Sequence, residues 1–389
     1  MSAGRNDTNY KLPVGIKQKT PLWFIAVLCL LSFSTVFFAS GLANQIKLNE
    51  RVCYLSIFAF LFWGGSGAPI LKPIERYTTV FMVAVMSLLA FLNYDSRAYQ
   101  LIQLTSTFGM VLFVHLFCRI AWEEKNYSLM GIAISIVTII FAFLLSPGRL
   151  FSGWNPNSIA GTFPLFAMAA CMFWVSEYKW KWIYMIVLFL IYISQTLQLA
   201  NRSTLIAIIA FLITLITKEF TQNKYLFRLL YVGIILLNVL LPFFNLIFSD
   251  MGGIHDLIGS VSEMTDVTKM DVSAFNGRED LWLTSIEIQK RNPLFGTFGI
   301  RPLYPHNFSM DLLNNFGWVG YLTFISLFVS VLEYAYLEGS KYNIFLVGFL
   351  AVLFLNTFEN MFTCCNYMEF FVYCLPAITI RMNQRLIKV

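Results

Sequence analysis

The chain alternates between long apolar stretches and short polar connections. Before Phe248, nearly every segment of about 20 residues is apolar, which is the length that a helix needs to cross a membrane. Lipid offers the backbone no hydrogen-bond partner, so such segments favour helices, which satisfy their backbone internally. Residues 249–308 are polar instead and contain two of the chain's three histidines. The pattern predicts an all-α polytopic membrane protein, with a single integral membrane domain over 1–389 and one large loop at 249–308.

About twelve apolar stretches are long enough to be transmembrane helices. Their approximate bounds are 21–43, 52–70, 77–94, 99–118, 127–146, 158–176, 181–199, 203–218, 226–248, 308–335, 342–361 and 367–381. Cytoplasmic loops carry the excess of lysine and arginine, so the basic residues predict the orientation. With a cytoplasmic amino terminus, 17 of the 27 lysines and arginines lie inside, and five of the ten outside fall in the long loop, which the rule discounts. We therefore predict that both termini are cytoplasmic and that the long loop lies on the outer face.

The composition agrees with a membrane protein. The chain is 58% hydrophobic and only 12% charged, whereas a soluble domain has about 25% charged residues. The net charge of +6 follows from the basic cytoplasmic loops and does not indicate a nucleic-acid partner. The seven cysteines are scattered and match no zinc pattern. The long loop has no histidine and carboxylate cluster at metal-ligand spacing, so neither a metal nor another cofactor is predicted.

Three basic side chains are predicted to lie on the outer face. Arg202 stands at the outer end of the seventh span, Arg278 precedes a helix-like run that ends near Arg291, and His306 lies where the long loop re-enters the membrane. Arginine binds phosphate oxygens in pairs and keeps its charge. Histidine can take a proton from a hydroxyl near neutral pH. Together these groups suit a lipid-linked pyrophosphate donor.

Each arginine also has a simpler interpretation. Arg202 can snorkel from the bilayer edge to the headgroups, and Arg278 can form a salt bridge with Glu279 or Asp280. The helix-like run after Arg278 can lie on the membrane surface or over a cavity, or pack on the core of the loop itself. Its apolar stripe is predicted to comprise Leu281, Trp282, Thr284, Ser285, Ile286 and Ile288.

Polar side chains also occupy the outer ends of two late spans. Two sets share one helical face each, namely Asn307, Asp311 and Asn314, and Asn356, Glu359 and Asn360. Ionisable groups in a membrane segment are costly and are functional candidates by default, although the cost falls near the interface. Asp311 is a candidate to orient the ring of His306, and Arg301 is close enough in sequence to join the same group.

Six short motifs, in this order, resemble the bacterial superfamily of O-antigen polymerases and O-antigen ligases. They are Asn155-Pro156-Asn157-Ser158-Ile159-Ala160, Asn201-Arg202-Ser203, Gly277-Arg278-Glu279-Asp280-Leu281-Trp282, Asn292-Pro293-Leu294-Phe295-Gly296, Pro305-His306-Asn307 and Asn315-Phe316-Gly317-Trp318-Val319-Gly320. Each motif alone is a weak signal. The order of the motifs, the dozen spans and the late outer loop all agree with this superfamily, so the resemblance extends over most of the chain.

The resemblance implies a GT-C-like glycosyltransferase of the bacterial inner membrane that works by inversion and without a metal. Its donor is a saccharide on undecaprenyl pyrophosphate, and its other expected partners are a lipid-linked acceptor, membrane lipid and a chain-length regulator protein. Arg202 and Arg278 would bind the pyrophosphate, and His306 would activate the acceptor hydroxyl or hold a phosphate. We predict that Asn157, Arg301, Asn307, Asp311 and Glu359 also take part in binding the substrate or its pyrophosphate.

Within this superfamily the motifs favour a polymerase of repeat units. The stretch from Gly277 to Trp282 is similar to polymerases, and Asn201 stands where ligases tend to carry a threonine. A ligase that transfers the glycan to the lipid A core is the alternative. A non-enzymatic transporter of lipid-linked oligosaccharides is a third, and it predicts paired repeats and broken helices with charges at the midplane.

Overall fold

The computed structural model describes residues 123–144, 156–199, 201–217, 219–249, 278–297, 305–359 and 368–388, with the single residues 110, 114, 117 and 118. All regular structure in these residues is helical, and no strand occurs among them. The first three predicted spans lie outside the described residues, and the fourth is described only at its four single residues.

Ten α-helices occur in the described part of the chain. They are α1 (Tyr127–Leu144), α2 (Phe163–Val175), α3 (Lys181–Gln198), α4 (Arg202–Ile216), α5 (Glu219–Gln222), α6 (Lys224–Ser249), α7 (Arg278–Arg291), α8 (Phe308–Ala335), α9 (Ile344–Leu355) and α10 (Met368–Lys388). Short 3₁₀ segments, Glu124–Asn126, Pro156–Thr162 and Lys341–Asn343, precede α1, α2 and α9.

Each of the last eight predicted spans corresponds to one of these helices. Three helices are long and apolar enough to cross a membrane, namely Lys181–Gln198, Lys224–Phe243 and Phe308–Ala335. The segments Ile159–Val175, Arg202–Ile216 and Lys341–Leu355 are apolar but shorter. The described residues therefore agree with the all-α class and contain three candidate membrane spans, and the total of twelve stays a prediction.

Helices α2 and α9 form the centre of the body. Twelve side chains of α2 and nearly all of those of α9 are buried, and the two helices pack on each other. A helix that is apolar all round has no face to turn to water, so it lies inside. The surrounding helices α3, α4 and α6 instead expose apolar side chains at helical spacing, including Ile183, Val187, Leu190, Ile206, Ile209, Ile213, Leu229, Val232 and Leu236.

Antiparallel packing gives the body two distinct ends. The amide of Asn343 donates to the carbonyl of Thr221 at 2.8 Å, so the end of α4 lies beside the start of α9. These two helices pack along each other, and their lengths of about 22 and 18 Å are similar. The start of α4, at Arg202, therefore lies at the same end of the body as Glu359, just beyond α9.

A bidentate ion pair joins α6 to α8 at the other end. Arg228 donates to both carboxylate oxygens of Glu333 at 2.7 and 2.6 Å, and Tyr231 donates to the same carboxylate at 2.9 Å. The start of α6 thus meets the end of α8, so the two helices run antiparallel. We call this the basic end, because it carries Lys125, Lys179, Lys224, Arg228, Lys341 and Arg385. The opposite end, with the starts of α4 and α8 and the end of α9, is the site end.

Candidate functional site

His306 lies at the site end, in the junction that leads into α8. Its backbone has φ 51°, and it is the one non-glycine residue with a positive φ in the described part of the chain. This conformation costs a non-glycine residue about 1–3 kcal/mol and persists only where surrounding contacts impose it. The ring nitrogen Nδ1 lies 3.1 Å from Oε2 of Glu359, and the side chains are 23% and 5% exposed, respectively. A partly accessible imidazole is therefore paired with a buried carboxylate.

Glu359 reaches His306 because the end of α9 is joined to the start of α8. The last carbonyls of a helix have no partner inside the helix. Here the Asn356 carbonyl accepts the backbone N–H of Phe308 at 3.0 Å, and the Thr357 carbonyl accepts the side-chain amide of Asn307 at 3.0 Å. These two bonds hold the turn after α9 against the junction, which brings the carboxylate to the imidazole.

Asn307 joins three helices. Its Oδ1 accepts the N–H of Met310 at 2.9 Å and so caps the start of α8. Its second amide hydrogen goes to the Asn238 carbonyl in α6, at 3.1 Å. That carbonyl has lost its usual partner because Pro242, one turn later, has no N–H. Both amide hydrogens of Asn307 thus bond to main-chain carbonyls of neighbouring helices, and its role in substrate binding stays a prediction.

Asn238 is a structural residue that was not among the predicted positions. Its side-chain amide donates to the Leu353 carbonyl at 3.3 Å and to the Ile234 carbonyl at 3.1 Å, so it also ties α6 to α9. The available signal was an asparagine inside an apolar span, one helical turn before a proline. Asp311, the residue expected to orient His306, is fully buried in α8, one turn after Asn307.

Arg202 is the first residue of α4 and is partly exposed. Asn201 caps this helix, since its Oδ1 accepts the N–H of Thr204 at 2.9 Å and the hydroxyl of Ser203 at 2.8 Å. A helix start carries partial positive charge and favours anions, which adds to the charge of the guanidinium. Threonine is also a good capping residue. The asparagine at 201 is therefore explained by its capping role.

Helix α7 packs on the protein through a narrow face. Trp282 and Ser285 are fully buried. The indole N–H of Trp282 donates to the Pro305 carbonyl at 2.8 Å, and the hydroxyl of Ser285 accepts from the amide of Asn314 at 2.9 Å. Helix α7 contacts both α8 and α6, so within the described residues it packs on these two helices. Of the predicted apolar stripe, Trp282 and Ser285 are buried, and Leu281, Thr284, Ile286 and Ile288 are partly or well exposed.

The turn after α7 docks into a break in α8. Gly317 has φ 62° and ψ −167°, which interrupts the helix between Phe308 and Ala335. The freed N–H groups of Trp318 and Val319 donate to the carbonyls of Pro293 and Leu294 at 2.9 and 3.1 Å. The N–H of Thr297 donates to the carbonyl of Asn314 at 2.8 Å. The predicted span 308–335 is therefore two helical segments, because this turn replaces part of its internal bonding.

The remaining predicted site residues are described only in part. The backbone of Asn157 lies in the 3₁₀ segment Pro156–Thr162, which contacts α4. The backbone of Arg278 begins α7. The side chains of both residues, and the whole of Arg301, lie outside the described residues. The structure thus brings Arg202, His306 and Glu359 to one end of the body and puts the backbone of Asn157 there too.

The site end combines two chemical capacities. A capped helix start with an arginine can hold an anion, and an imidazole on a buried carboxylate can move a proton. No group of three histidine, cysteine, aspartate or glutamate side chains converges as metal ligands within the part of the chain that the structure describes. No protein-family model matches the chain, and neither curated proteins nor solved structures give a match.

Proposed function

We propose that this protein polymerises lipid-linked oligosaccharide repeat units at the outer face of the bacterial inner membrane. The observation that carries the proposal is the His306–Glu359 pair, 3.1 Å apart, at the same end of an apolar helical body as the start of α4 with Arg202. A base and an anion-binding group on one side of a membrane protein suit a reaction between two lipid-linked substrates. The ordered motifs that resemble O-antigen polymerases are the second support.

In the proposed reaction, His306 takes the proton of an acceptor sugar hydroxyl. The acceptor oxygen attacks the anomeric carbon of the growing glycan, and the bond from that carbon to the pyrophosphate breaks. Undecaprenyl pyrophosphate leaves with the bonding electrons, and Arg202 and Arg278 stabilise its charge. Glu359 keeps the imidazole in one orientation and stabilises it once it is protonated. Direct displacement inverts the anomeric configuration.

The two alternatives differ from a polymerase in their reaction. A ligase would require the lipid A core as acceptor. A transporter would form and break no covalent bond, and the break at Gly317 is a feature found in transporters. That break is bonded by the carbonyls of Pro293 and Leu294, whereas broken helices in transporters use their freed backbone groups to bind substrate.

Reconstitution with a lipid-linked repeat unit alone tests the proposal. We expect purified protein in liposomes to convert the unit into a ladder of products, in excess chelator as well as in its absence. Products that appear only when lipid A core is added would establish the ligase alternative. Movement of the unit across the bilayer without any new glycosidic bond would establish the transporter.

Arg202→Lys and Arg278→Lys are each expected to reduce polymer formation by about tenfold or more. Lysine keeps the charge but loses the planar fork that binds two phosphate oxygens. The lost charge-assisted hydrogen bond is worth about 1.5–3 kcal/mol. Initial rates at matched protein levels measure the effect, and Arg291→Lys, an exposed arginine on the same helix as Arg278, is the control. Normal rates in both variants would mean that the two arginines have structural roles.

Labelling with a membrane-impermeant thiol reagent tests the orientation. Ser262→Cys and Lys388→Cys are made separately in a background that lacks the seven native cysteines. In intact cells with a permeabilised outer membrane we expect the reagent to label position 262 but not 388, because the predicted cytoplasmic loops carry most of the basic residues. Labelling of 388 alone would reverse the topology and move the site end to the cytoplasm.

A further inference from the structure

We infer that Trp282 is a positioning residue that sets the geometry of His306 and links it to the helix that starts at Arg278. The inference rests on the proposed function, in which His306 is the base and Arg278 binds the donor. Trp282 itself contacts no reacting atom in this scheme. It acts through one hydrogen bond, from its indole N–H to the carbonyl of Pro305 at 2.8 Å.

The Pro305 carbonyl belongs to the peptide unit that ends at the nitrogen of His306. The angle φ of His306 describes the rotation about its N–Cα bond relative to this peptide. A hydrogen bond that fixes the Pro305 oxygen therefore fixes the peptide plane from which the His306 side chain is oriented. Trp282 is fully buried, and its side chain is among the largest with no exposed surface in the described residues. Its indole therefore has little freedom to follow a displaced carbonyl.

The other side of His306 is held as firmly. Asn307 is bonded to the carbonyls of Asn238 and Thr357, and the N–H of Phe308 is bonded to the end of α9. His306 has a left-handed backbone, with φ 51°, which relaxes unless both flanks are constrained. Trp282 supplies the constraint on the amino-terminal flank. Without it, we expect the backbone to relax and the imidazole to shift from Glu359.

The same tryptophan also places Arg278. The two residues are one turn apart on α7, a rise of about 6 Å along the helix. Ser285, on the next turn, bonds to Asn314 of α8 and fixes the direction of the helix. The hydrogen bond from Trp282 to Pro305 thus sets the distance between His306 and the start of α7 at Arg278. Loss of this hydrogen bond should lower the turnover rate more than it weakens substrate binding.

Trp282→Phe tests this, because phenylalanine retains an aromatic ring and lacks the N–H donor. We expect kcat for polymer formation to fall by about threefold to tenfold, the effect of one neutral hydrogen bond, while KM for the lipid-linked unit changes little. A benzothiophene analogue at position 282, with sulfur in place of the N–H, keeps the full ring size and should behave in the same way. Trp180→Phe, at an exposed tryptophan near the basic end, is the control.

A second measurement reads the position of His306 without any substrate. The chain has three histidines, so His115→Asn and His255→Asn leave His306 as the one imidazole, and its modification by diethyl pyrocarbonate can be followed against pH. We expect Trp282→Phe to change the rate of this modification, because the accessibility of the ring changes, and Trp180→Phe to leave it unchanged. An unchanged profile together with an unchanged kcat would overturn the inference.

The two measurements separate the inference from the proposed function. If the unaltered protein forms no polymer, the proposed function fails and the modification profile alone decides the role of Trp282. If polymer forms and Trp282→Phe raises KM without changing kcat or the profile, the tryptophan shapes the substrate site and the positioning role is wrong. A lower kcat with an altered profile supports it.

Discussion

His306→Ala is expected to lower polymer formation by about 10²–10⁴-fold, the usual contribution of a general base. The acceptor hydroxyl would lose the imidazole that takes its proton, and Glu359, paired with that imidazole at 3.1 Å, would lose its partner. Donor binding should be largely retained, because the arginines remain. Single-turnover rates and binding of radiolabelled donor to the same preparation measure both quantities.

His306→Asn separates the chemistry from the backbone. Asparagine adopts positive φ more readily than alanine, so it should preserve the junction while it still removes the base. We expect both variants to be equally impaired. Recovery of activity in His306→Asn would mean that the conformation at φ 51° matters and the imidazole does not. Weak donor binding in both variants would assign His306 to phosphate contact instead.

Gly317→Ala is expected to destabilise the protein by about 2–5 kcal/mol, from backbone strain at positive φ together with overpacking. A Cβ at this position would lie 2.3 Å from the backbone carbon and oxygen of Leu294. Neither atom can rotate away, because both are main-chain atoms of the turn that docks on α8. The thermal midpoint in detergent, followed by tryptophan fluorescence, measures the loss.

Gly339→Ala is the matched control for Gly317. It has a positive φ of 75°, yet an added Cβ there would meet nothing within 4 Å. Gly317 also has ψ −167°, a conformation essentially confined to glycine, so the difference between the two variants measures the steric contact together with this local strain. Equal losses in the two variants would mean that the close approach of the turn to α8 does not contribute to stability.

The sequence by itself determined the class of the molecule and the positions of most described helices. Helix α8, predicted at 308–335, runs from Phe308 to Ala335, and the run after Arg278 ends at Arg291 as expected. The length of an apolar stretch and the polar residues that end it are local properties, so they can be identified directly from the sequence. The presence of His306 and Arg202 beside helix boundaries was visible for the same reason.

Only the tertiary structure decided which residues meet. The partner of His306 is Glu359, 53 positions away, although Asp311 is far closer in sequence. The break at Gly317 was not predicted, because the groups that bond to it, the carbonyls of Pro293 and Leu294, lie more than 20 positions earlier in the chain. Both outcomes depend on carbonyl and N–H groups left open at helix ends and breaks. Their partners come from other helices, so packing rather than periodicity selects them.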